Sequence, residues 1–131
     1  MGSWILDTKS RPGIFAMRLE GNFSPSDMRE FVVQHNTGVD SYGQKPYRVF
    51  VDIRALQPLS PECTALMEKA KQHSASRPNF QGSAVLASSS VVAMQHRRTS
   101  TSGGVMDTEL ISDSEEACLQ HLASVTRAPG T

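Results

Sequence analysis

The most constraining feature of the sequence is the run at residues 47–53, YRVFVDI, which is apolar at nearly every position. A strand with one face in water alternates apolar and polar residues, whereas a strand that is apolar throughout is buried on both faces. Burial on both faces is typical of a parallel sheet that is covered by helices. The run therefore predicts an interior strand of an α/β fold.

Patterns on both sides of this strand complete an α/β order. Residues 14–21 alternate between apolar and polar positions, and Ser-Pro pairs at 24–25 and 60–61 precede apolar residues at helical spacing. We predict strands near 3–8, 14–21, 47–53, 82–89 and 105–111, helices near 25–38, 61–73, 91–98 and 114–125, and a polar loop at 99–104. Asp113 is expected to cap the last helix. With right-handed crossovers, this order gives a mixed, mostly parallel sheet with about four helices and an antiparallel first strand at one edge.

The composition is that of one ordinary domain. Of the 131 residues, 38% are hydrophobic and 20% are charged, and 13 basic residues balance 13 acidic residues. A net charge near zero argues against a general binder of nucleic acids or acidic membranes. No apolar run approaches the roughly 20 residues that cross a bilayer. We expect a single domain at residues 1–127, a flexible tail at 128–131, a cytoplasmic location and no stable membrane insertion.

The cysteines and histidines form no metal or catalytic pattern. Cys63 and Cys118 lie on the apolar sides of predicted helices, where buried, reduced thiols are the preferred interpretation and a disulfide is the alternative. The four histidines are dispersed, without the spacing of metal ligands. We therefore expect a non-enzymatic protein without metal or cofactor. An enzyme that uses Asp52 and the serines at 88–90 is the least supported alternative.

The strand ends place candidate binding residues at one edge of the predicted sheet. In open α/β sheets, ligands bind outside the carboxyl ends of the strands. Asp52 and Arg54 follow the interior strand, Ser88 and Ser89 follow the next strand, and Ser60 should lie close to both ends. Asp52 is expected to bond loop amides or to pair with Arg54, and the serines to cap a helix or to form an anion cradle. This edge is the predicted surface for binding or regulation by a partner.

Ser60 has three alternative roles. The sequence Ser-Pro-Glu is a helix start, where the hydroxyl accepts from a free backbone N–H and stabilises the helix by about 1 kcal/mol. A phosphate at that position would meet the same donors and the positive end of the helix dipole. Capping is the preferred interpretation, and partner contact and phosphorylation are the alternatives.

Residues 95–104, QHRRTSTSGG, form the most unusual stretch. Arg97 and Arg98 precede a segment rich in Ser, Thr and Gly, and guanidinium groups with exposed amides bind phosphate. The order Arg-Arg-x-Ser also suits some basophilic kinases, with Ser100 as the acceptor. The segment lacks the Lys-Ser/Thr ending of a P-loop. A solvated loop is the preferred interpretation, and an anion-binding loop or a phosphosite at Ser100 are the alternatives.

Three stretches resemble the SpoIIAA-like family, whose members are relatives of the STAS domain: IFAMRLEGNFSPSDMREFV, YRVFVDIRALQPLSPECTALMEKA and MDTELISDSEEACLQHL. They are similar to the opening strand and first helix, the central strand with its loop and helix, and the closing strand and helix. STAS domains include anti-sigma factor antagonists of bacterial signalling, in which a serine in the loop after the central strand is phosphorylated. Counted from Asp52, Pro61 takes the position of that serine, Ser60 precedes it, and the glycine of the motif is absent.

The resemblance implies a STAS-like fold and a regulatory or protein-binding module in bacterial signalling. The expected partner is another protein, either a signalling partner or a second copy in a homodimer, and not a nucleic acid. Two alternatives remain open. One is a carrier of a small apolar or lipid ligand between sheet and helices, and the other is a phospho-regulated anti-sigma factor antagonist with Ser60 as the switch.

Overall fold

The computed structural model describes residues 1–127, which form one five-stranded sheet and four α-helices. The strands are β1 (Ser3–Asp7), β2 (Ile14–Glu20), β3 (Tyr47–Asp52), β4 (Phe80–Leu86) and β5 (Glu109–Ser112). The helices are α1 (Pro25–Asp40), α2 (Pro61–Ala75), α3 (Ser90–Gly103) and α4 (Glu115–Ser124), and a short 3₁₀ helix, Met106–Thr108, precedes β5. The predicted α/β class and element order are confirmed. The predicted tail at 128–131 lies outside the described residues.

The strands lie side by side in the order in which they occur in the sequence, β1-β2-β3-β4-β5. β1 pairs antiparallel with β2 at one edge, as predicted, and the other three pairings are parallel. Right-handed crossovers between successive neighbours place α1, α2 and α3 on the same face of the sheet. α4 follows the last strand and packs on the opposite face. Because the strand order never reverses, the sheet has no central crevice at a switch point, and candidate sites lie along its edge and its faces.

β3 is the interior strand that the apolar run predicts. It lies between β2 and β4, with Met17 opposite Val51 and Phe50 opposite Ala84. Val49 and Val51 enter the larger core, which lies under α1, α2 and α3, and Phe50 enters the smaller core under α4. Both faces of the strand are therefore buried, which explains why nearly every position is apolar.

The sheet separates the two cysteines. Cys63 of α2 belongs to the larger core and Cys118 of α4 to the smaller core, and both thiols are free and buried. A disulfide between them would have to pass through the sheet, which the short reach of the bond does not allow. The prediction of two buried, reduced thiols is confirmed.

The sequence suggests that the first helix ends at Gly38, but α1 continues to Asp40. A Cβ at Gly38 would collide with the ring of Phe15 on β2. Glycine at this position therefore permits close packing of the helix on the sheet rather than a left-handed stop. α1 buries Met28, Phe31, His35 and Val39 against that sheet.

The predicted loop at 99–104 is wrong, because α3 continues through Gly103 and ends at Gly104, whose φ is 84°. Ser and Thr side chains often compete with helical backbone. Here the hydroxyls of Thr99 and Thr101 donate to carbonyls of their own helix at 2.8 and 3.0 Å, so they do not interrupt it. A Cβ at Gly103 would meet Lys71 Cβ at 2.6 Å, so glycine also lets α3 approach α2 closely.

The last strand and helix are also shifted from their predicted positions. The strand expected at 105–111 is interrupted by the 3₁₀ helix and begins only at Glu109. Ser114, rather than Asp113, is the N-cap of α4, and its Oγ accepts from the backbone N–H of Ala117 at 3.1 Å. A hydroxyl and a carboxylate are equivalent acceptors at this position, so the sequence alone does not choose between adjacent residues.

Candidate functional site

Four helix N-termini lie at the carboxyl edge of the sheet, and each is capped by a serine: Ser24, Ser60, Ser89 and Ser114. Ser60 Oγ accepts from Cys63 N at 3.2 Å, and Ser89 Oγ accepts from Val92 N at 3.3 Å. Ser60 and Ser89 are both exposed. The predicted capping role of Ser60 is therefore present, whereas its contact with a partner and its phosphorylation stay predictions.

Ser88 connects the two loops that follow β3 and β4. Its Oγ donates to the backbone carbonyl of Arg54 at 3.2 Å. The hydroxyls of Ser88 and Ser89 are thus both engaged within the protein, one between loops and one as a cap. Ser88 and Ser89 therefore stabilise the loops at this strand end. Ser90, the exposed first residue of α3, is the one serine of the three whose hydroxyl forms no hydrogen bond within residues 1–127.

Asp52 and Arg54 form a bidentate pair at the end of β3. Arg54 Nε donates to Asp52 Oδ1 at 3.1 Å, Nη2 donates to Oδ2 at 2.8 Å, and the Arg54 backbone N–H donates to Oδ1 at 3.1 Å. Partial burial raises the pKa of Asp52, but the hydrogen bonds and charge of Arg54, with the charge of Arg18, outweigh that effect and hold this pKa below its ordinary value. Asp52 therefore stays ionised at neutral pH and orients Arg54.

Weaker ion pairs extend this pair to the neighbouring elements. Arg18 Nε of β2 lies 3.9 Å from Asp52 Oδ2, and Arg54 Nη2 lies 3.9 Å from Glu115 Oε1 of α4. Charges of alternating sign therefore run from β2 across the end of β3 to the start of α4.

An open concave region adjoins these charges on the face that α4 covers only in part. We call it the open face, and its members are Ile5, Asp7, Ser10, Arg11, Ala16, Met17, Arg18, Phe50, Asp52, Arg54 and Glu115. It encloses about 360 Å³, with Ala16 and Phe50 in its floor. The Arg11 guanidinium lies 5.9 Å from the centre of the Phe50 ring, and Ile5 on the edge strand is 63% exposed. The sequence does not reveal this region, because its floor comes from separate strands.

Arg97, Arg98 and Ser100 do not form the predicted anion-binding loop, because all three lie in α3. Arg97 and Arg98 are exposed, whereas Ser100 is fully buried, with 0% of its surface accessible. The hydroxyl of Ser100 is therefore inaccessible to a kinase in the folded protein. The structure separates the two arginines from the serine that the sequence placed with them.

Ser100 instead belongs to a buried polar cluster, which we call the Lys71 network. Lys71 Nζ donates to Ser100 Oγ at 2.7 Å, to Thr99 Oγ1 at 2.8 Å and to the His96 carbonyl at 3.0 Å. Ser100 Oγ donates to Glu109 Oε1, and Ser83 Oγ donates to Glu109 Oε2 at 2.8 Å. The network joins α2, α3, β4 and β5.

Burial changes the protonation chemistry of this cluster. It lowers the pKa of the Lys71 ammonium to about 7, and the negative charge of Glu109 opposes that shift. Burial also lowers the pKa of His96 well below its ordinary value, with a smaller contribution from the charge of Lys71. His96 is therefore neutral at physiological pH, and Lys71 exchanges its proton near neutrality.

A small cavity lies between this cluster and the sheet. It has a volume of about 30 Å³ and is lined by core side chains together with His35, Lys71, Ser83 and Glu109. Burial lowers the pKa of His35 to about 4, so this side of the cavity is uncharged. A cavity of this volume holds water-sized molecules. A lipid or other apolar ligand, as in the carrier alternative, would require the core to expand.

The sequence contains a signal for the Lys71 network that its motifs do not reveal. Lys71 lies four residues after Met67 and one after Ala70, so it falls on the buried stripe of α2. A lysine on an apolar stripe predicts a buried ammonium that needs several acceptors. The acceptors of Lys71 lie in α3, and the sequence pattern predicts a loop for the second half of that helix. The pattern therefore does not predict the cluster.

No protein-family model matches the chain, and no curated protein shows significant similarity to it. In the part of the chain that the structure describes, no three His, Cys, Asp or Glu side chains converge on a common metal position. No helix within residues 1–127 is both long enough and apolar enough to cross a membrane.

Proposed function

We propose that the chain is a non-enzymatic, STAS-like binding module that recognises another protein through the carboxyl edge of its sheet and the open face. The observation that carries the proposal is the open face itself, a concavity of about 360 Å³ with an apolar floor and a charged rim. An apolar centre within a polar rim is the usual anatomy of a protein recognition surface. The Asp52–Arg54 pair lies where this face meets the carboxyl edge.

The order of the elements supports the STAS-like part of the proposal. Each of the three stretches that resemble the SpoIIAA-like family corresponds to one strand and the helix that follows it: β2 with α1, β3 with α2, and β5 with α4. The loop between β3 and α2, which contains the regulatory serine in that family, here contains Arg54 and the exposed Ser60.

The contacts of the polar side chains favour recognition over catalysis. Asp52 is ionised and bound by Arg54, so it is not poised to exchange a proton near neutral pH. The hydroxyls of Ser60 and Ser89 accept from backbone N–H groups as caps, and a nucleophilic serine needs a base as its partner. These groups are fixed in place and present a defined shape and charge to a partner.

The charges of the open face suit either a different protein or a second copy. Arg11, Arg18 and Arg54 face Asp7, Asp52 and Glu115 around the same concavity. A surface that contains both signs in equal number is able to pair with itself across a two-fold axis. The partner in bacterial signalling that the family resemblance implies is the preferred occupant, and a homodimer is the alternative.

The test is quantitative capture of partners by the tagged full chain from cells that express it, after chemical cross-linking. Arg54→Ala removes the exposed end of the charged pair, and Ser60→Asp keeps an acceptor at the cap but adds a negative charge. We expect each variant to reduce recovery of the main partner by about fivefold, which corresponds to about 1 kcal/mol. Lys45→Ala, in an exposed turn at the opposite end of β3, is the matched control.

Circular dichroism establishes that all three variants are folded, and light scattering of the purified chain shows whether the partner is a second copy. Equal recovery with Arg54→Ala, Ser60→Asp and the control would remove the carboxyl edge and the open face from consideration. A loss that is as large with Lys45→Ala would show that capture depends on total charge and not on this surface.

A further inference from the structure

A second exposed surface lies on α3, in the helix layer on the other side of the sheet from the open face. Val91 and Met94 are 56% and 61% exposed, although both are large and apolar. Arg97, Arg98 and Thr101 continue the exposed surface along the same helix. We call these five residues the α3 stripe. It is apolar at the N-terminal end of the helix and basic toward the C-terminal end.

The two arginines of the stripe are unusual because, within residues 1–127, their guanidinium groups form no hydrogen bond or ion pair and lie over no aromatic ring. All the other arginines have such a contact. Four form ion pairs, namely Arg18, Arg29, Arg54 and Arg77. Arg48 and Arg127 donate to backbone carbonyls, and the guanidinium of Arg11 lies over an aromatic ring. α3 contains no acidic residue. The positive charge of the stripe is therefore not balanced within α3, while the chain as a whole is neutral.

Two surface depressions flank Arg98. One, of about 330 Å³, lies along α3 and is lined by Met94, Arg97, Arg98 and Thr101, among others. The other, of about 390 Å³, lies between α3 and the start of α2, and Glu68 is the carboxylate in its lining. Both depressions adjoin Arg98, and Met94 lines the first of them, whereas Val91 lies outside both. The depressions offer shape, the exposed apolar side chains offer contact area, and the arginines offer donors for carboxylates.

We propose that the α3 stripe binds an acidic, amphipathic helical segment of a partner protein. The apolar face of such a helix would cover Val91 and Met94, and its carboxylates would meet the guanidinium forks of Arg97 and Arg98, which suit bidentate pairing. Insertion of one apolar face beside an oppositely charged row is a recurrent mode of helix recognition. This surface is distinct from the open face, and the proposal holds whether or not the open face binds a protein.

An acidic lipid surface is the other negatively charged apolar partner, and the observations favour it less. Each basic side chain near an anionic membrane contributes about 1 kcal/mol. Two arginines on a chain with a net charge of +0 therefore give weak attraction. A membrane is also flat on this scale, so it does not fill the depressions beside Arg98.

The test begins with a phage-displayed library of random peptides long enough for three helical turns, about 11 residues. The library is panned on the folded full chain and depleted on Arg97→Glu/Arg98→Glu. We expect the recovered peptides to be rich in Asp or Glu with Leu or Phe at helical spacing. A synthetic copy of the leading peptide should lose about tenfold in affinity on Arg97→Glu/Arg98→Glu and on Val91→Ser/Met94→Ser, measured by fluorescence anisotropy.

The matched control is Lys9→Glu/Lys45→Glu, which makes the same change in net charge at exposed positions away from α3. It should bind the peptide within about twofold of the wild-type chain. All the substituted residues are exposed, so circular dichroism should show unchanged folding. Failure to enrich acidic peptides would overturn the proposal, as would an equal loss on the control. Stripe-dependent binding to phosphatidylserine–phosphatidylcholine vesicles, without acidic peptides, would replace it with a membrane surface.

Discussion

The Asp52–Arg54 pair and the Lys71 network contain similar groups in opposite environments. The Arg54 side chain is 50% exposed and that of Asp52 is 14% exposed, at the margin of the sheet. Lys71 is 8% exposed and Ser100 is 0% exposed, between α2, α3 and β5. Water solvates the guanidinium of the first cluster, whereas the ammonium of the second depends on three protein acceptors.

The difference shows which polar groups determine stability and which are available for recognition. An exposed ion pair contributes about 0–1 kcal/mol, because water competes for both partners. A buried group that loses its partner costs about 1–3 kcal/mol, because water does not replace the lost hydrogen bond. The edge pair is therefore able to contact other molecules, whereas the hydrogen bonds of the Lys71 network join α2 and α3 to the sheet. Four experiments test this contrast.

The largest expected effect is on the pH dependence of stability. Lys71 has a pKa of about 7 in the folded protein, against 10.5 as its ordinary value. Between these values the unfolded chain binds the proton and the folded chain does not, so the free energy of unfolding rises with pH. From pH 7 to pH 10 we expect a gain of about 3.5 kcal/mol relative to Lys71→Met, measured by urea unfolding.

Lys71→Met is the suitable reference because it keeps the length of the side chain and removes the titrating group. Burial raises the pKa of Tyr47 to about 12, so this tyrosine does not titrate in the same range. Parallel stability profiles of the wild-type chain and Lys71→Met would mean that the pKa of Lys71 is not lowered in the folded protein, and would contradict the expected pH dependence.

The second effect concerns the hydroxyl of Ser100. Ser100→Ala removes an acceptor from Lys71 and a donor from Glu109, at a position with no exposed surface. We expect the free energy of unfolding to fall by about 2 kcal/mol. Ser102→Ala, on an exposed position of the same helix, should change it by less than about 0.5 kcal/mol. Equal effects of the two substitutions in chemical denaturation would contradict a structural role for the network.

A smaller effect is expected from the helix cap at the carboxyl edge. Ser60→Ala removes the acceptor of the Cys63 N–H, and we expect a loss of about 1 kcal/mol in thermal or chemical unfolding. Ser90→Ala at the start of α3 is the control, because Ser89 caps that helix and Ser90 does not. A loss that is similar for both serines would show that capping at Ser60 contributes little.

The smallest effect is expected at the exposed pair. Arg54→Ala should lower the free energy of unfolding by less than about 1 kcal/mol, and the loss should shrink further in high salt, because half of the arginine side chain is already in water. A loss comparable with that of Ser100→Ala would place the pair among the groups that hold the fold. Arg54→Ala would then no longer be a clean probe of partner binding.

Local patterns predict the parts of this protein that depend on local interactions. The apolar run places β3 inside the sheet, and the Ser-Pro pairs mark the starts of α1 and α2. Asp52 and Arg54 follow the end of an apolar strand, so the sequence alone predicts their position at the carboxyl edge. These assignments required only the period of a strand and the chemistry of a helix start.

The features that were missed depend on contacts between distant segments. The second half of α3 is rich in Ser and Thr, and Ser100 is buried there because Lys71 of α2 and Glu109 of β5 provide its partners. The open face exists because α4 covers only part of one face of the sheet, which no residue of α4 reveals by itself. Tertiary context, rather than propensity, decides both features.

The sequential strand order has a consequence for how the chain folds. Because each strand pairs with the next strand in the sequence, every parallel pairing closes a loop no longer than one helix and its turns. Short loops lower the entropy lost before native contacts form, which favours rapid folding among proteins with parallel sheets. During synthesis, the hairpin of β1 and β2 emerges first and each later strand finds its neighbour already present. The sheet can therefore grow from one side to the other, with α4 closing the second face last.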